Sequence, residues 1–246
     1  MQPEITTWTA PPPSLSLRAG EVHVWRISLD QPTEEVRRFQ ETLEPHEIER
    51  SNRFVFDKLR RHFIVARGFV RQAIGRYLNL NPATLRFSYG PYGKPALSGD
   101  QPLNFNLSHS NEMALLAVAS GADLGVDVES IRADFATEDI ARRFFSRVEN
   151  ISLNGLETEE KVAGFFRCWT RKEAYIKAIG KGLSQALDGF DVTLGPHEAP
   201  ALLRAEHDDV TRWQVMDLDV GAAYAAALIV EAPVTSVRCW QFGTEM

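Results

Sequence analysis

Two long stretches of helical periodicity constrain this chain more than any other feature. Residues 51–78 contain no proline, and Phe63, Val70, Ile74 and Tyr77 recur at helical spacing with arginines on the other faces. Asn81-Pro82 ends that run. The second stretch extends from about Glu157 to Ile179 and stops at Gly180-Lys181-Gly182. Segments with strand-like patterning surround both: Val22 to Leu29, Leu85 to Tyr89, Met113 to Ala119 and Leu124 to Val128 around the first, then Phe190 to Leu194, Trp213 to Leu218, Ala222 to Val230 and Val237 to Phe242 after the second. Residues 1–20, with Pro11-Pro12-Pro13, read as an irregular lead-in, and 89–95 as a turn-rich loop. A chain of this order is expected to be α+β.

The order also repeats. In each half a long helix precedes a short strand and the half closes on a pair of apolar strands. Each half carries one Gly-Lys pair, Gly93-Lys94 and Gly180-Lys181, 87 residues apart. The expected architecture is a pseudo-dimer of two similar α/β halves, residues 1–121 and 122–246, with a ligand site in the cleft between them. The 246 residues suffice for a core in each half.

A net charge of −6 argues against a protein coated in nucleic acid. The longest apolar run, Ala222 to Val230, is too short to span a bilayer, and the Pro-rich start lacks a secretory pattern. Cys168 and Cys239 suit two buried thiols in a reducing compartment. The expectation is a cytoplasmic protein with no membrane or nucleic-acid partner.

Four local signals could carry chemistry. In Gly125-Val-Asp-Val-Glu129, Asp127 and Glu129 stand two apart on a strand, so both carboxylates share one face while Val126 and Val128 enter a core. Such a pair suits Mg²⁺, which shares itself with substrate phosphates; alone it also suits a solvated strand. In Trp169-Thr-Arg-Lys-Glu-Ala-Tyr-Ile-Lys177, Glu173 and Lys177 are i,i+4 neighbours with Trp169 one turn earlier. That pair equally describes an ordinary surface ion pair. Phe105-Asn-Leu-Ser-His-Ser110 offers donors to a phosphate, or forms a turn held by Asn and Ser side chains. Adjacent residues rarely put a serine hydroxyl on a histidine nitrogen, so a nucleophile there is disfavoured. Between residues 50 and 76 eight basic residues accompany one acid, Asp57, which suits a bound anion or a solvated basic face.

In order and spacing these pieces, with Gly93-Lys94-Pro95 and Phe144-Phe-Ser146, resemble the 4′-phosphopantetheinyl transferases of the surfactin-synthetase-activating type, over about residues 43–230. The resemblance implies two α+β halves with coenzyme A in the cleft. It implies Asp127, Glu129 and Glu173 as Mg²⁺ ligands, Lys177 at the pyrophosphate, His109 and Ser108 at the phosphates, Lys94 and Pro95 near the adenine, and Arg50 and Arg61 as basic contacts to the 3′-phosphate. Glu149 matches an acidic position implicated in catalysis. The serine must lose its proton, and Glu173 is the expected base, directly or through a Mg²⁺-bound water, with Glu149 or water as the alternatives. Glu47 departs from the pattern, standing where some members carry a lysine. Lys-Glu-Ala after Trp169 resembles the subgroup associated with polyketide, glycolipid and fatty-acid-type synthases.

The implied activity is transfer of 4′-phosphopantetheine from coenzyme A to a serine of an acyl, peptidyl or polyketide carrier protein, releasing adenosine 3′,5′-bisphosphate, by an enzyme expected to be monomeric. Two rivals stand beside it. A Mg²⁺-dependent nuclease or other phosphotransferase usually sets a lysine two residues after the carboxylate, where this chain has Ile131. A non-catalytic coenzyme A-binding module would need no carboxylate trio.

Overall fold

The computed structural model of the chain describes residues 3–132, 137–182 and 185–243. The first two residues of the lead-in lie outside that range. The rest of the lead-in is not wholly irregular, because β1 (Glu4–Ile5) pairs in parallel with a strand from the far end of the chain.

The first half is built on β2 (Glu21–Ser28), three helices and a hairpin. The helices are α1 (Thr33–Gln40), α2 (Pro45–Ser51) and α3 (Asp57–Leu78). The helix expected over 51–78 is α3, which starts only at Asp57 and ends at Leu78 as expected. Ser51 closes α2, and α3 starts six residues later, with the turn held by Arg53 N–H to Arg50 O and Phe54 N–H to Ser51 O. After α3 come the two-stranded β3 (Phe87–Tyr89) and β4 (Pro95–Leu97), joined by the expected turn-rich loop. Next are β5 (Leu103–Ser110) and β6 (Met113–Ser120). Residues 105–110, for which a turn was one reading, form β5, and their Asn-Leu-Ser-His-Ser alternation has the period of a strand.

The second half holds β7 (Leu124–Ser130), α4 (Thr137–Phe144), α5 (Arg147–Asn154) and α6 (Thr158–Ile179). It continues with the short pair β8 (Phe190–Val192) and β9 (Leu202–Ala205), then β10 (Trp213–Asp217), β11 (Tyr224–Glu231) and β12 (Ser236–Gln241). One sheet has the order β10-β11-β7 and is antiparallel. The other has the order β1-β12-β2-β6-β5. The last strand thus returns to the first half's sheet and lies parallel to β2.

Three apolar clusters hold these layers. One packs α1 and α3 on β2, β5 and β6 through Trp25, Phe39, Phe69 and Ile74. A second packs α6 on β8, β10 and β11 through Phe165, Tyr175, Phe190 and Ile229. The third lies between the two sheets and includes Val24, Leu115, Val126, Val128, Leu228 and Val237. Val126 and Val128 therefore enter a core, as their alternation with Asp127 and Glu129 requires.

Candidate active site

The odd-numbered residues of β7 face α6. At Gly125 a β-carbon would overlap the Ala174 carbonyl oxygen and the Ala178 amide nitrogen, so only glycine lets the helix backbone come this near. Across the sheet, Ala227 and Ala225 of β11 lie opposite Asp127 and Glu129, and these small side chains leave room for both carboxylates. On α6, Trp169, Glu173 and Lys177 recur every four residues and form one stripe. Gly180 ends α6 in the left-handed conformation (φ 67°) and donates its N–H to Ile176 O.

The α6 stripe and the β7 face meet in one open pocket. It is lined by Leu107, Ser108 and His109 of β5, Asp127 and Glu129 of β7, and Trp169, Glu173 and Lys177 of α6. Both halves of the chain contribute. Trp169 is held there by stacking on Phe165 (5.9 Å between centroids) and by an edge contact with Phe144 (6.1 Å). The Phe144-Phe-Ser146 motif is therefore a wall and a cap: Ser146 accepts the Glu149 N–H and starts α5.

Lys177 Nζ lies 2.6 Å from Asp127 Oδ1 and 2.9 Å from Ser108 Oγ. Ser108 donates its proton to the same Asp127 oxygen at 2.8 Å. The other oxygen, Asp127 Oδ2, is buried and has no hydrogen-bond partner. Burial is the main cause that pushes Glu129 above the ordinary carboxylate range, with the Asp127 charge adding and the Ser110 hydrogen bond opposing. Glu173 is raised by burial and then by the charges of Asp127 and Glu129, against Lys177. His109 is lowered by loss of surrounding water, then by Lys177 and His62.

Three carboxylates on one pocket wall, one with a buried orphan oxygen, are a donor set for a hard divalent cation. Among the described residues no three His, Cys, Asp or Glu groups are drawn together as a finished cage. Lys177 currently takes up one Asp127 oxygen. That arrangement suits Mg²⁺, which keeps waters and takes further oxygens from a substrate phosphate.

The other expected site residues fall elsewhere. Lys94 and Pro95 line a second cavity with Gly90, Phe105, Ala178 and Gly180, where Lys94 Nζ donates to Ala178 O (2.9 Å) and Leu124 O (3.2 Å). Arg50 lies over the Phe63 ring (5.3 Å) in an open groove beside His46 and Arg53, and Arg61 donates to Gln31 O (2.8 Å). Neither lines the carboxylate pocket. Nor does Glu149. It is buried, bonded to Lys172 Nζ (2.6 Å), to the Val192 N–H (2.9 Å) and to the Ser146 N–H (2.9 Å), so it joins α5, α6 and β8. The basic stretch 50–76 is also largely engaged. Arg53 pairs with Glu49, Arg60 with Asp57, Lys58 with Glu112, and Arg67 and the fully buried Arg71 with Glu47. Glu47, the position that departed from the family pattern, is the buried partner of those two arginines. Sequence reasoning did not assign Ser110 to Glu129, although its Oγ donates to Glu129 Oε2 at 2.7 Å. The alternation in 106–110 was the available signal.

Comparison with known proteins gives the family. A family model described as 4′-phosphopantetheinyl transferase, N-terminal, matches residues 29–121, and one described as 4′-phosphopantetheinyl transferase superfamily matches residues 123–229. The chain is 38% identical over 239 residues to the 4′-phosphopantetheinyl transferase HetI of Nostoc sp., covering 96% of this chain and 98% of that one. It is 34% identical to the 4′-phosphopantetheinyl transferase Sfp of Bacillus subtilis (70% of this chain, 76% of that one) and 31% identical to the 4′-phosphopantetheinyl transferase ffp of Bacillus subtilis (85% and 92%). With both halves matched in order around a shared pocket, the chain belongs to the 4′-phosphopantetheinyl transferase superfamily.

Proposed function

We propose that this enzyme transfers 4′-phosphopantetheine from coenzyme A to a serine of an apo carrier protein, with Mg²⁺ held by Asp127, Glu129 and Glu173. The observation that carries the reading is the orphaned, buried Asp127 Oδ2 in a pocket shared with Glu129, Glu173 and Lys177. When bound, Mg²⁺ supplies positive charge against the diphosphate oxygens.

The residues divide the rest of the work. Lys177, at the pocket wall, places its ammonium where charge develops as the phosphorus–oxygen bond to the leaving group breaks. The carrier serine oxygen forms the new bond to phosphorus, and its proton passes to Glu173 and then to solvent. The leaving group is adenosine 3′,5′-bisphosphate. His109 at the rim and Lys94 in the neighbouring cavity serve the nucleotide end of coenzyme A, with Pro95 against the base. Arg50 and Arg61 are the basic contacts to the 3′-phosphate. Ser108 acts as a brace, since its single proton already goes to Asp127. Glu149 supports the frame.

The carrier docks on α5, where Val148 and Ile151 are exposed, and on the first turns of α6. Among the described residues no helix is long and apolar enough to cross a membrane, both cysteines are free and buried, and each half supplies one side of the pocket. These features support a monomeric enzyme working in the cytoplasm. Incubating the chain with coenzyme A, Mg²⁺ and an apo carrier tests the reading. A mass gain of one phosphopantetheine on the carrier serine, lost on adding a chelator, is expected; binding of coenzyme A with no transfer would overturn it.

A further inference from the structure

The two sheets meet along their edge strands, β5 and β7, yet no backbone ladder joins them. A comb of side chains takes its place. Asn106 Oδ1 accepts the Val126 N–H (2.9 Å), Ser108 Oγ the Val128 N–H (3.3 Å) and Ser110 Oγ the Ser130 N–H (3.1 Å). From the other direction Lys94 and Lys177 donate to Leu124 O and Val126 O. The outward N–H groups of β7 are thereby satisfied without strand pairing.

Two teeth of the comb do more. A hydroxyl has one proton and two lone pairs. Ser110 accepts from the Ser130 N–H and donates its proton to Glu129 Oε2 at 2.7 Å. Ser108 does the same for Asp127. Each carboxylate of β7 is thus aimed by a serine of the opposite half, anchored to the backbone N–H one residue beyond that carboxylate. Ser108 is also bonded to Lys177, so its effects are mixed with those of the site itself. Ser110 acts on Glu129 alone among the three carboxylates.

We infer that Ser110 is a positioning residue for Glu129, so that the first half, which supplies none of the three carboxylates, sets the enzyme's affinity for a divalent cation. The inference rests on the proposed Mg²⁺ site. Partners of this kind hold a ligand's orientation, and their loss lowers metal affinity by about 10- to 100-fold.

The test compares Ser110→Thr with Ser110→Val, which have nearly the same shape and differ by a hydroxyl. Mn²⁺ titration of the whole chain, followed by electron paramagnetic resonance, reads cation affinity directly. Coenzyme A binding in the presence of chelator and the thermal midpoint serve as structural readouts. The threonine variant is expected to bind Mn²⁺ within about threefold of wild type, and the valine variant about tenfold or more weakly, with coenzyme A binding unchanged between the two and the thermal midpoint lower in the valine variant, because the Ser130 N–H loses its acceptor there. Equal Mn²⁺ affinity in the two variants would overturn the positioning role, as would parallel loss of all three readouts in the valine variant. Asp127→Ala separates the two layers. If that change leaves wild-type Mn²⁺ affinity intact, the carboxylate site itself is wrong, and the inference falls with it.

Discussion

Lys172 and Glu173 are neighbours on one helix with opposite fates. Glu173 faces the pocket, while Lys172 is fully buried against Glu149 and the Phe190 carbonyl. Removing one member of a buried pair leaves an uncompensated charge, so Glu149→Ala is expected to lower stability by about 3–5 kcal/mol in chemical denaturation. Its transfer rate per folded molecule should stay near wild type. A large rate loss with unchanged stability would return Glu149 to the chemistry. Lys177→Ala should weigh on the rate instead, losing transfer by about 10²–10³-fold in kcat, with a smaller loss of stability because its ammonium is partly open to solvent. Residue types at fixed spacing were enough to pick out Asp127, Glu129, Glu173 and Lys177. The inward turn of Glu149 was not legible, because nothing in Phe-Ser-Arg-Val-Glu shows that Lys172 waits beneath it. For the same reason the basic stretch looked like an anion site: the carboxylates that neutralise it, Glu44, Glu47 and Glu112, lie outside it in sequence or beyond helical spacing.

At the scale of elements, the close approach of α6 to β7 depends on one glycine. Gly125→Ala drives a methyl into helix backbone, which cannot swing aside like a side chain, and should cost about 3 kcal/mol or more of stability. It should also weaken cation binding, by moving Glu173 away from Asp127. The α2–α3 junction makes a second expectation. Burial works against charge on Glu47, but the Glu44 N–H, Arg67 and Arg71 outweigh it and hold its carboxyl below the usual value. A group lowered in the folded state contributes stability above its unfolded pKa and loses it as pH falls through the folded one. Wild type should therefore exceed Glu47→Gln by about 3 kcal/mol at neutral pH, with the gap narrowing below the ordinary carboxylate pKa of 4.5. Denaturant midpoints across pH 3 to 7 would show this. Alternation located most of the strands, and period located α6. The break before α3 was hidden because residues 52–56 carry Phe54, Val55 and Phe56 and no proline or glycine to mark it.

At the scale of the whole molecule, the two halves are not independent. The third core lies between the sheets, and β12 returns from the end of the chain to sit between β1 and β2. Residues 1–121 produced alone would expose Val24, Leu115 and the β2 edge, so they should aggregate or remain unfolded by circular dichroism. The weak repeat hinted at two halves, but a strand that crosses back leaves no mark on periodicity. The pocket forms only where the halves meet, with His109 from one side and Asp127 and Glu173 from the other. The central claim is that this carboxylate wall performs the transfer. It is tested most directly by Asp127→Ala, assayed for phosphopantetheine transfer to an apo carrier at saturating Mg²⁺ beside coenzyme A binding. Transfer should fall by at least about 100-fold while coenzyme A still binds; transfer at the wild-type rate would contradict the account.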